Sequence, residues 1–161
     1  FLPGLGGLTW PSTSPDCGTE MVKRIGSPSW MSRAGALIGK KRDPAVRGQQ
    51  YCAGRWDEAK LDRQVSDAAG WARAKNVPLW VGEFGVRAQD TPRTDRLRWL
   101  RAAVRAFSAE GLGWSLWSYD DCFGLSMKQI CPTTLGPSQT IPAFVRDTLA
   151  AIGMNDPQGV R

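Results

Sequence analysis

Apolar residues recur at helical spacing in two long stretches of this sequence. The first is "WDEAKLDRQVSDAAGWARAK" and the second is "DTPRTDRLRWLRAAVRAFSAEG", both with charged residues between the apolar ones. In the second stretch Thr91 is the expected N-cap, Pro92 the first helical residue and Gly111 the end of the helix. The positions predicted to face the core are Leu61, Val65, Ala68 and Ala72 in the first helix, and Leu97, Leu100, Val104 and Phe107 in the second.

Two short apolar runs, "LWVG" and "LGWSLW", follow these helical stretches. The first predicts a strand that is buried on both faces, and the second predicts another short strand. With a final helix over residues 141–152, the order is loop, helix, strand, helix, strand, loop and helix, which is typical of parallel βα units. Two strands do not complete a parallel sheet that is covered on both faces. The pattern therefore predicts an α/β fold from which part of the sheet is missing.

Residues 1–55 are rich in Gly, Pro and Ser and show no sustained period, so we expect a loop-rich segment there. Residues 56–161 hold the regular elements, and 161 residues suffice for one domain but not comfortably for two. One incomplete domain is expected. The opening "FLPGLGGLTW" shows neither Met nor a signal peptide, so we expect the chain to begin after a processing cut or inside a longer protein. No apolar run approaches the roughly 18 residues of a membrane span.

The chain carries a net charge of +6 and contains no histidine. The missing imidazole excludes histidine-based catalytic triads and histidine metal ligands. The basic residues are scattered, with one cluster in "GKKRDPAVR" and another along the second helix. We interpret both clusters as solvated faces, because no known nucleic-acid-binding motif accompanies them. The second cluster comprises Arg93, Arg96, Arg98, Arg101 and Arg105.

None of the cysteines shows C-x-x-C spacing, which argues against a zinc site. An even number of cysteines in loop-like sequence fits two disulfides and a secreted or periplasmic protein. Four unrelated reduced thiols are the alternative. Of the three pairings that four cysteines allow, we predict Cys122–Cys131 and Cys17–Cys52, because each pair closes a loop between two regular elements.

Glu83 stands in "VPLWVGEFGVR", after an apolar run and between Gly82 and Gly85. In (β/α) barrels the chemistry lies at the C-terminal ends of the strands. The two glycines keep side-chain bulk away, so a ligand could approach the carboxylate closely. The alternative is a solvated turn residue that happens to follow a strand. The end of the next strand helps to decide between the two.

That next strand, in "GWSLWSYDDCFGL", ends in aromatic and acidic residues. A flat ring stacks on the apolar face of a pyranose, and carboxylates hydrogen-bond its hydroxyl groups, so this combination is typical of a sugar site. The candidate sugar-binding residues are Trp117, Tyr119, Asp120 and Asp121. For the two aspartates a turn or capping role is the alternative. An indole at the equivalent strand end favours the site interpretation of Glu83.

Together, "VPLWVGEFG", the arginine-rich helix and "GLGWSLWSYDDCFGL" resemble the C-terminal part of glycoside hydrolase family 5, the cellulase-like (β/α)8 barrels. The two motifs occur in the family's order with one helix between them, and the resemblance covers roughly residues 56–125. It implies an α/β fold that is the C-terminal part of a TIM barrel. The barrel strands implied are roughly strands 7 and 8, with flanking helices and a long preceding loop.

The resemblance implies a retaining glycoside hydrolase of the endoglucanase or cellulase type, which cleaves β-glycosidic bonds of polysaccharides. Glu83 has the place of the nucleophile, and Trp117 that of the aromatic platform under the sugar. A second carboxylic acid, roughly 5 Å from the nucleophile, acts as acid/base, and no metal or organic cofactor is needed. The sequence has neither the family's Asn-Glu pair for that acid nor its histidine. A partial catalytic domain is therefore expected, whose partner is the missing N-terminal part of the barrel.

Two other functions compete with this one. A carbohydrate-binding protein without catalysis could use the eight tryptophans as stacking surfaces, but such modules are usually β-rich. In addition, Trp71, Trp80 and Trp99 are expected in the core, and Trp114 is expected to pack against the outer helices. A basic nucleic-acid-binding protein is the other alternative, which a steep loss of affinity with added salt would support.

Overall fold

The computed structural model describes residues 10–19, 22, 44–88, 91–119, 121–125 and 146–154. The elements in this part of the chain are, in order, α1 (Pro44–Ala53), α2 (Glu58–Lys75), β1 (Trp80–Phe84), α3 (Arg93–Ala109), β2 (Gly113–Leu116) and α4 (Arg146–Ala151). The predicted alternation of helices and strands is confirmed from α2 to β2. Helix α1 lies within residues 1–55, which the sequence predicts to be irregular. The sequence does not predict this helix, because its ten residues contain no apolar run at helical spacing. The helix predicted over residues 141–152 is described only from residue 146 onward.

Helix α2 is capped at both ends. The Asp57 carboxylate accepts a hydrogen bond at 2.8 Å from the backbone N–H three residues on, which satisfies an otherwise unpaired amide. At the C-terminal end Asn76 takes a left-handed φ of 52°, and its N–H reaches carbonyls of the last turn. The buried residues are Val65, Ala69 and Ala72. The prediction of Ala68 as a core residue is wrong, because Ala69, four residues after Val65, continues the buried stripe.

Helix α3 lacks the predicted N-cap. Pro92 precedes the helix with φ −51° and ψ 133°, and no side chain caps the first turn. The prediction of Thr91 as the N-cap is wrong, because the extended backbone of Pro92 moves the helix start to Arg93. The predicted end is confirmed: Gly111 has a left-handed φ of 67°, which glycine adopts without strain.

Strands β1 and β2 form a two-stranded parallel sheet. The paired residues are Trp80–Gly113, Val81–Trp114 and Phe84–Leu116. Gly82 and Glu83 therefore stand opposite the single residue Ser115, which makes a β-bulge in β1. Side chains of α2 and α3 pack on one face of the sheet. The other face, called the open face below, is formed by Trp80, Gly82, Glu83, Gly113, Ser115 and Trp117.

The prediction that β1 is buried on both faces is wrong for the part of the chain that the structure describes. Trp80 is 60% exposed, and within the strand only Phe84 is buried. The reason is that helices cover a single face of the sheet. The predictions of Trp71 and Trp80 as core residues are also wrong, since Trp71 is likewise 60% exposed. Trp99 and Trp114 do pack against the core, as expected.

Phe84 lies at the centre of the core between the sheet and the helices. Its ring meets those of Phe107 and Trp114 edge to face, with ring centroids 5.1 and 5.2 Å apart, which is a favourable arrangement of aromatic rings. Leu100 from α3 and Ile152, which directly follows α4, are buried in the same cluster. The four predicted core positions of α3 are confirmed. Leu100 and Phe107 are buried, and Leu97 and Val104 are partly buried.

Residues 10–17 are attached to α1 and to the start of α2. The Ser12 hydroxyl donates to the Tyr51 carbonyl at 3.1 Å and accepts a hydrogen bond from the Trp56 N–H. The predicted disulfide Cys17–Cys52 is present and completes this small cluster. The other predicted pair, Cys122–Cys131, includes residue 131, which lies outside the described residues.

Candidate active site

The bulge in β1 turns the Glu83 side chain away from the helices. Val81 and Phe84 both pack against the core beneath the helices, although they are three positions apart and the side chains of a regular strand alternate. The extra residue of the bulge accounts for this spacing and leaves Gly82 and Glu83 on the open face. Without it Glu83 would follow Val81 onto the helix side, where an ionised carboxylate is costly to bury.

Glu83 belongs to the strand rather than to the turn after it. The sequence predicts the strand to end before Glu83, but β1 continues through Phe84. The Glu83 side chain is exposed. Its carboxylate makes neither a hydrogen bond nor an ion pair with the residues that the structure describes. The backbone is therefore fixed by the sheet, while both carboxylate oxygens stay accessible on the open face.

Trp117 follows the last residue of β2, at the strand end that adjoins the end of β1. Its N–H donates to the Phe84 carbonyl at 2.7 Å, which extends the strand pairing by one hydrogen bond. Trp117 comes two residues after Ser115, so it shares the open face, and it is 47% exposed. The peptide bond between Trp117 and Ser118 is cis. The structure thus brings the predicted nucleophile and the predicted platform together at neighbouring C-terminal strand ends.

The β2 loop, residues 117–125, carries the other predicted sugar-binding residues. One carboxylate oxygen of Asp121 accepts a hydrogen bond at 2.7 Å from the Phe123 N–H. The turn role considered for Asp121 is therefore observed for that oxygen, and its contact with sugar stays a prediction. Tyr119 is 54% exposed, and its contact with sugar also stays a prediction. Asp120 lies outside the described residues.

Gly85 allows the two strand ends to approach each other closely. A Cβ atom at this position would lie 2.1 Å from the carbonyl oxygen of Trp117 and 3.6 Å from the Phe123 ring. At Gly82 such an atom would have no neighbour within 4 Å. The sequence predicts that both glycines keep side-chain bulk away from Glu83, but in the structure the two glycines have different roles. Gly85 permits backbone contact, whereas Gly82 leaves open space beside Glu83.

We expect Gly85→Ala to lower the free energy of unfolding by about 1–3 kcal/mol, because the new methyl group overlaps the backbone of Trp117. Gly82→Ala is the matched control, and it should change stability by less than about 0.5 kcal/mol. Urea unfolding followed by tryptophan emission measures both values. Equal destabilisation by the two substitutions would contradict the close approach at Gly85.

Arg96 is the residue of this region that sequence reasoning missed, because it was grouped with the solvated arginines. Its side chain is buried, with 3% of the residue exposed. The acceptors of its hydrogen bonds are the Val86 carbonyl (3.0 Å), Thr148 Oγ1 (3.0 Å) and the Phe123 and Gly124 carbonyls (both 3.1 Å). Burial lowers the pKa of Arg96, and the charge of Asp147 partly opposes this shift. A sequence signal was present, since Arg96 lies four residues before Leu100 on the buried stripe of α3.

Other arginines of α2 and α3 lie on the outer surface, where they pair with acidic residues. The pairs are Arg98–Glu58 (3.1 Å), Arg105–Asp62 (2.8 Å) and Arg73–Glu110 (2.8 Å). The hydrogen bond from Arg73 also lowers the pKa of Glu110. The interpretation of Arg98 and Arg105 as part of a solvated face is therefore confirmed, and neighbouring carboxylates offset their charge.

Two further features are absent from the described ranges. Among these residues there is no group of three or more His, Cys, Asp or Glu side chains that could hold a metal ion. None of the helices described is both long enough and apolar enough to cross a membrane.

The sequence matches one protein-family model, described as Cellulase (glycosyl hydrolase family 5), over residues 43–122. The matched segment begins just before α1 and ends at Cys122. It therefore includes both strand ends, the first motif on which the resemblance rests and the second motif as far as Cys122. No curated protein sequence matches the chain.

Among solved structures the chain is similar to the Clostridial cellulose synthase subunit Z from Clostridioides difficile. The identity is 25% and the TM-score 0.49, over 59% of this chain and 28% of that one. It is also similar to endoglucanase Cel5A from Thermotoga maritima, with 20% identity and a TM-score of 0.49, over 60% of this chain and 27% of that one. The chain thus spans less than a third of the length of either protein.

Proposed function

We propose that this chain, which belongs to glycosyl hydrolase family 5 through residues 43–122, is part of a retaining β-glycosidase of the endoglucanase type. Its substrate in this proposal is a β-linked polysaccharide. Glu83 is the nucleophile, and Trp117 is the platform on which the sugar stacks. The βα units described here form the C-terminal part of a (β/α)8 barrel, roughly strands 7 and 8. The other barrel strands cover the open face.

The position of Glu83 and Trp117 at adjoining C-terminal strand ends is the observation that supports this proposal most directly. Both side chains lie on the open face, and the hydrogen bond at 2.7 Å between the Trp117 N–H and the Phe84 carbonyl fixes the spacing of their backbones. A pyranose ring stacked on the indole brings its anomeric carbon towards a carboxylate of the neighbouring strand. Holding the reacting atoms in this way removes much of the entropic barrier to attack.

The reaction proposed has two covalent steps. Glu83 attacks the anomeric carbon while the glycosidic bond breaks, and a second carboxylic acid protonates the leaving oxygen. The same acid, now a base, then takes a proton from the water that releases the sugar from Glu83. Asp121 is a poor choice for this acid, because its carboxylate already holds the Phe123 N–H in the turn. We propose that the acid/base comes from another strand of the barrel, about 5 Å from Glu83.

Export from the cytoplasm is part of the same proposal. The Cys17–Cys52 disulfide supports a secreted or periplasmic location, because disulfides persist in oxidising compartments. A polymeric substrate fits this location, since it is too large to enter a cell before it is cleaved.

A carbohydrate-binding protein without catalysis is the second candidate. It is favoured by the exposed aromatic rings of Trp80, Trp117 and Tyr119, which offer stacking surfaces for sugars. The two candidates differ in one product, because only the enzyme forms a covalent bond between Glu83 and the sugar.

Activated 2-fluoro β-glycosides test the proposal, because the fluorine slows hydrolysis of the glycosyl-enzyme and leaves the nucleophile labelled. The complete enzyme of this proposal should gain the mass of one sugar residue from a glucoside or mannoside reagent, and peptide mapping should place it on Glu83. A label on another carboxylate would contradict the assignment of Glu83. Oligosaccharide binding with neither labelling nor turnover would favour the second candidate.

A further inference from the structure

We infer that Arg96 is a positioning residue, which sets the placement of the β1 and β2 strand ends and hence of Glu83 relative to Trp117. This inference rests on the proposed function, because it concerns the geometry of the same site. Arg96 itself lies under the loops and does not reach the open face. It acts through the backbone that follows each strand.

One guanidinium group joins the two loops that follow the strands. The Val86 carbonyl, in the β1 loop (residues 85–88), accepts a hydrogen bond from Arg96 Nε at 3.0 Å. In the β2 loop the Phe123 and Gly124 carbonyls both accept from Nη2 at 3.1 Å. Because Nε and Nη2 belong to one rigid plane, these three hydrogen bonds fix the distance between the loops.

The burial of Arg96 makes this connection stiff. A buried guanidinium is costly unless its N–H groups are paired, and the three carbonyls with the Thr148 hydroxyl provide those partners. A shift of either loop would leave a buried donor without an acceptor. Small displacements of the loops therefore cost more here than they would at a neutral or solvated contact.

The sequence distance between these contacts and the site is short. Val86 comes three residues after Glu83, and Phe123 comes six after Trp117. A further hydrogen bond, from the Ala88 N–H to the Cys122 carbonyl at 2.7 Å, joins the same two loops. The guanidinium thus holds the segments to which both proposed site residues are connected.

A merely structural role for Arg96 leads to a different expectation. Its fourth hydrogen bond, from Nη1 to Thr148 Oγ1 at 3.0 Å, attaches α4 and involves neither loop. If Arg96 served only to hold α4, removal of the Thr148 hydroxyl would reproduce much of the effect of changing Arg96. Thr148→Val therefore separates the two roles.

The test compares Arg96→Lys with Thr148→Val and Arg98→Lys in the complete enzyme. An activated 2-fluoro glycoside counts the folded sites, so that kcat is obtained per titrated site. Lysine keeps the charge but lacks the planar fork that meets three carbonyls, so we expect kcat per site to fall roughly 10- to 100-fold. Thr148→Val removes only the contact to α4 and leaves the three hydrogen bonds to the loops in place, so kcat per site should stay within about twofold of the unmodified enzyme. Arg98→Lys changes an exposed ion pair, and it should likewise stay within about twofold.

An unchanged kcat per site in Arg96→Lys, or an equal loss in Thr148→Val, would overturn the inference. If Arg96→Lys does not fold, exchange of the Nε–H protons in the unmodified enzyme provides the test by NMR. The Nε–H of Arg96 should exchange about 100-fold more slowly than that of Arg98, which donates to Glu58 at an exposed site. Equal exchange rates would contradict the claim that Arg96 joins the two loops. An unmodified enzyme that neither reacts with the reagent nor cleaves β-glycosides would instead refute the proposed function, and the exchange measurement would still test the hydrogen bonds of Arg96.

Discussion

Glu83→Gln is expected to lower turnover of an aryl β-glycoside by about 10³-fold or more, while oligosaccharide binding stays nearly unchanged. Glutamine keeps the size of the side chain but removes the ionised oxygen that attacks the sugar. Because the Glu83 carboxylate makes no hydrogen bond within the described part of the chain, the substitution should leave the fold intact. Steady-state kinetics of the complete enzyme give kcat, and calorimetry gives the dissociation constant.

Glu110→Gln is the matched control for this prediction. It makes the same chemical change at the exposed ion pair with Arg73, and kcat should stay within about twofold. If Glu83→Gln retained more than a small percentage of the original rate, Glu83 would not be the nucleophile. A large loss of oligosaccharide affinity would instead assign Glu83 mainly to binding.

Loss of the Cys17–Cys52 disulfide is expected to lower the free energy of unfolding by about 2–4 kcal/mol, the usual effect of a bridge that closes a loop of several tens of residues. The two cysteines are 35 positions apart in the sequence. The cluster that the bridge completes contains two buried residues, Cys17 and Tyr51, with Cys52 and Trp56 packed against them. So small an apolar cluster contributes little stability by itself.

The double variant Cys17→Ser/Cys52→Ser, compared with the unmodified protein by urea unfolding, measures this effect. Ser14→Ala is a suitable control, because the Ser14 hydroxyl makes an exposed contact with the Asp16 N–H at 3.3 Å and should contribute less than about 0.5 kcal/mol. If the double variant lost less than about 1 kcal/mol, hydrogen bonds such as that of Ser12 would hold the N-terminal segment instead.

The helices and the strand order could be predicted because each depends on local pattern. Helix α3 shows this well: Leu100 and Phe107 lie on one stripe, and a helix buries one stripe whatever its surroundings. The burial of β1 could not be predicted in the same way. An apolar strand indicates that two faces can be covered, but which faces are covered depends on the elements packed against it, and Trp80 has no helix above it in the described residues.

The candidate site was predictable in its residues but not in its geometry. Glu83 and Trp117 follow from the rule that parallel strands carry chemistry at their C-terminal ends. The bulge at Gly82 was not predictable, because it depends on how β1 pairs with β2, and the sequence of one strand does not contain that register. Arg96 was missed for a related reason: a charge is expected on a solvated face until its buried acceptors are known.

The two tryptophans of the open face lie at opposite ends of the sheet. Trp80 is at the N-terminal end of β1, where its ring covers Gly113, and Trp117 directly follows the C-terminal end of β2. Three to four residues of strand separate the two levels, which is on the order of 10 Å. Indole emission shifts to shorter wavelength when the ring leaves water. Because the chain has eight tryptophans, the contribution of each of these two rings is obtained as the difference from a variant in which that tryptophan is replaced by phenylalanine. In the proposed barrel the emission of Trp80 records the arrival of neighbouring strands, and that of Trp117 records the arrival of sugar.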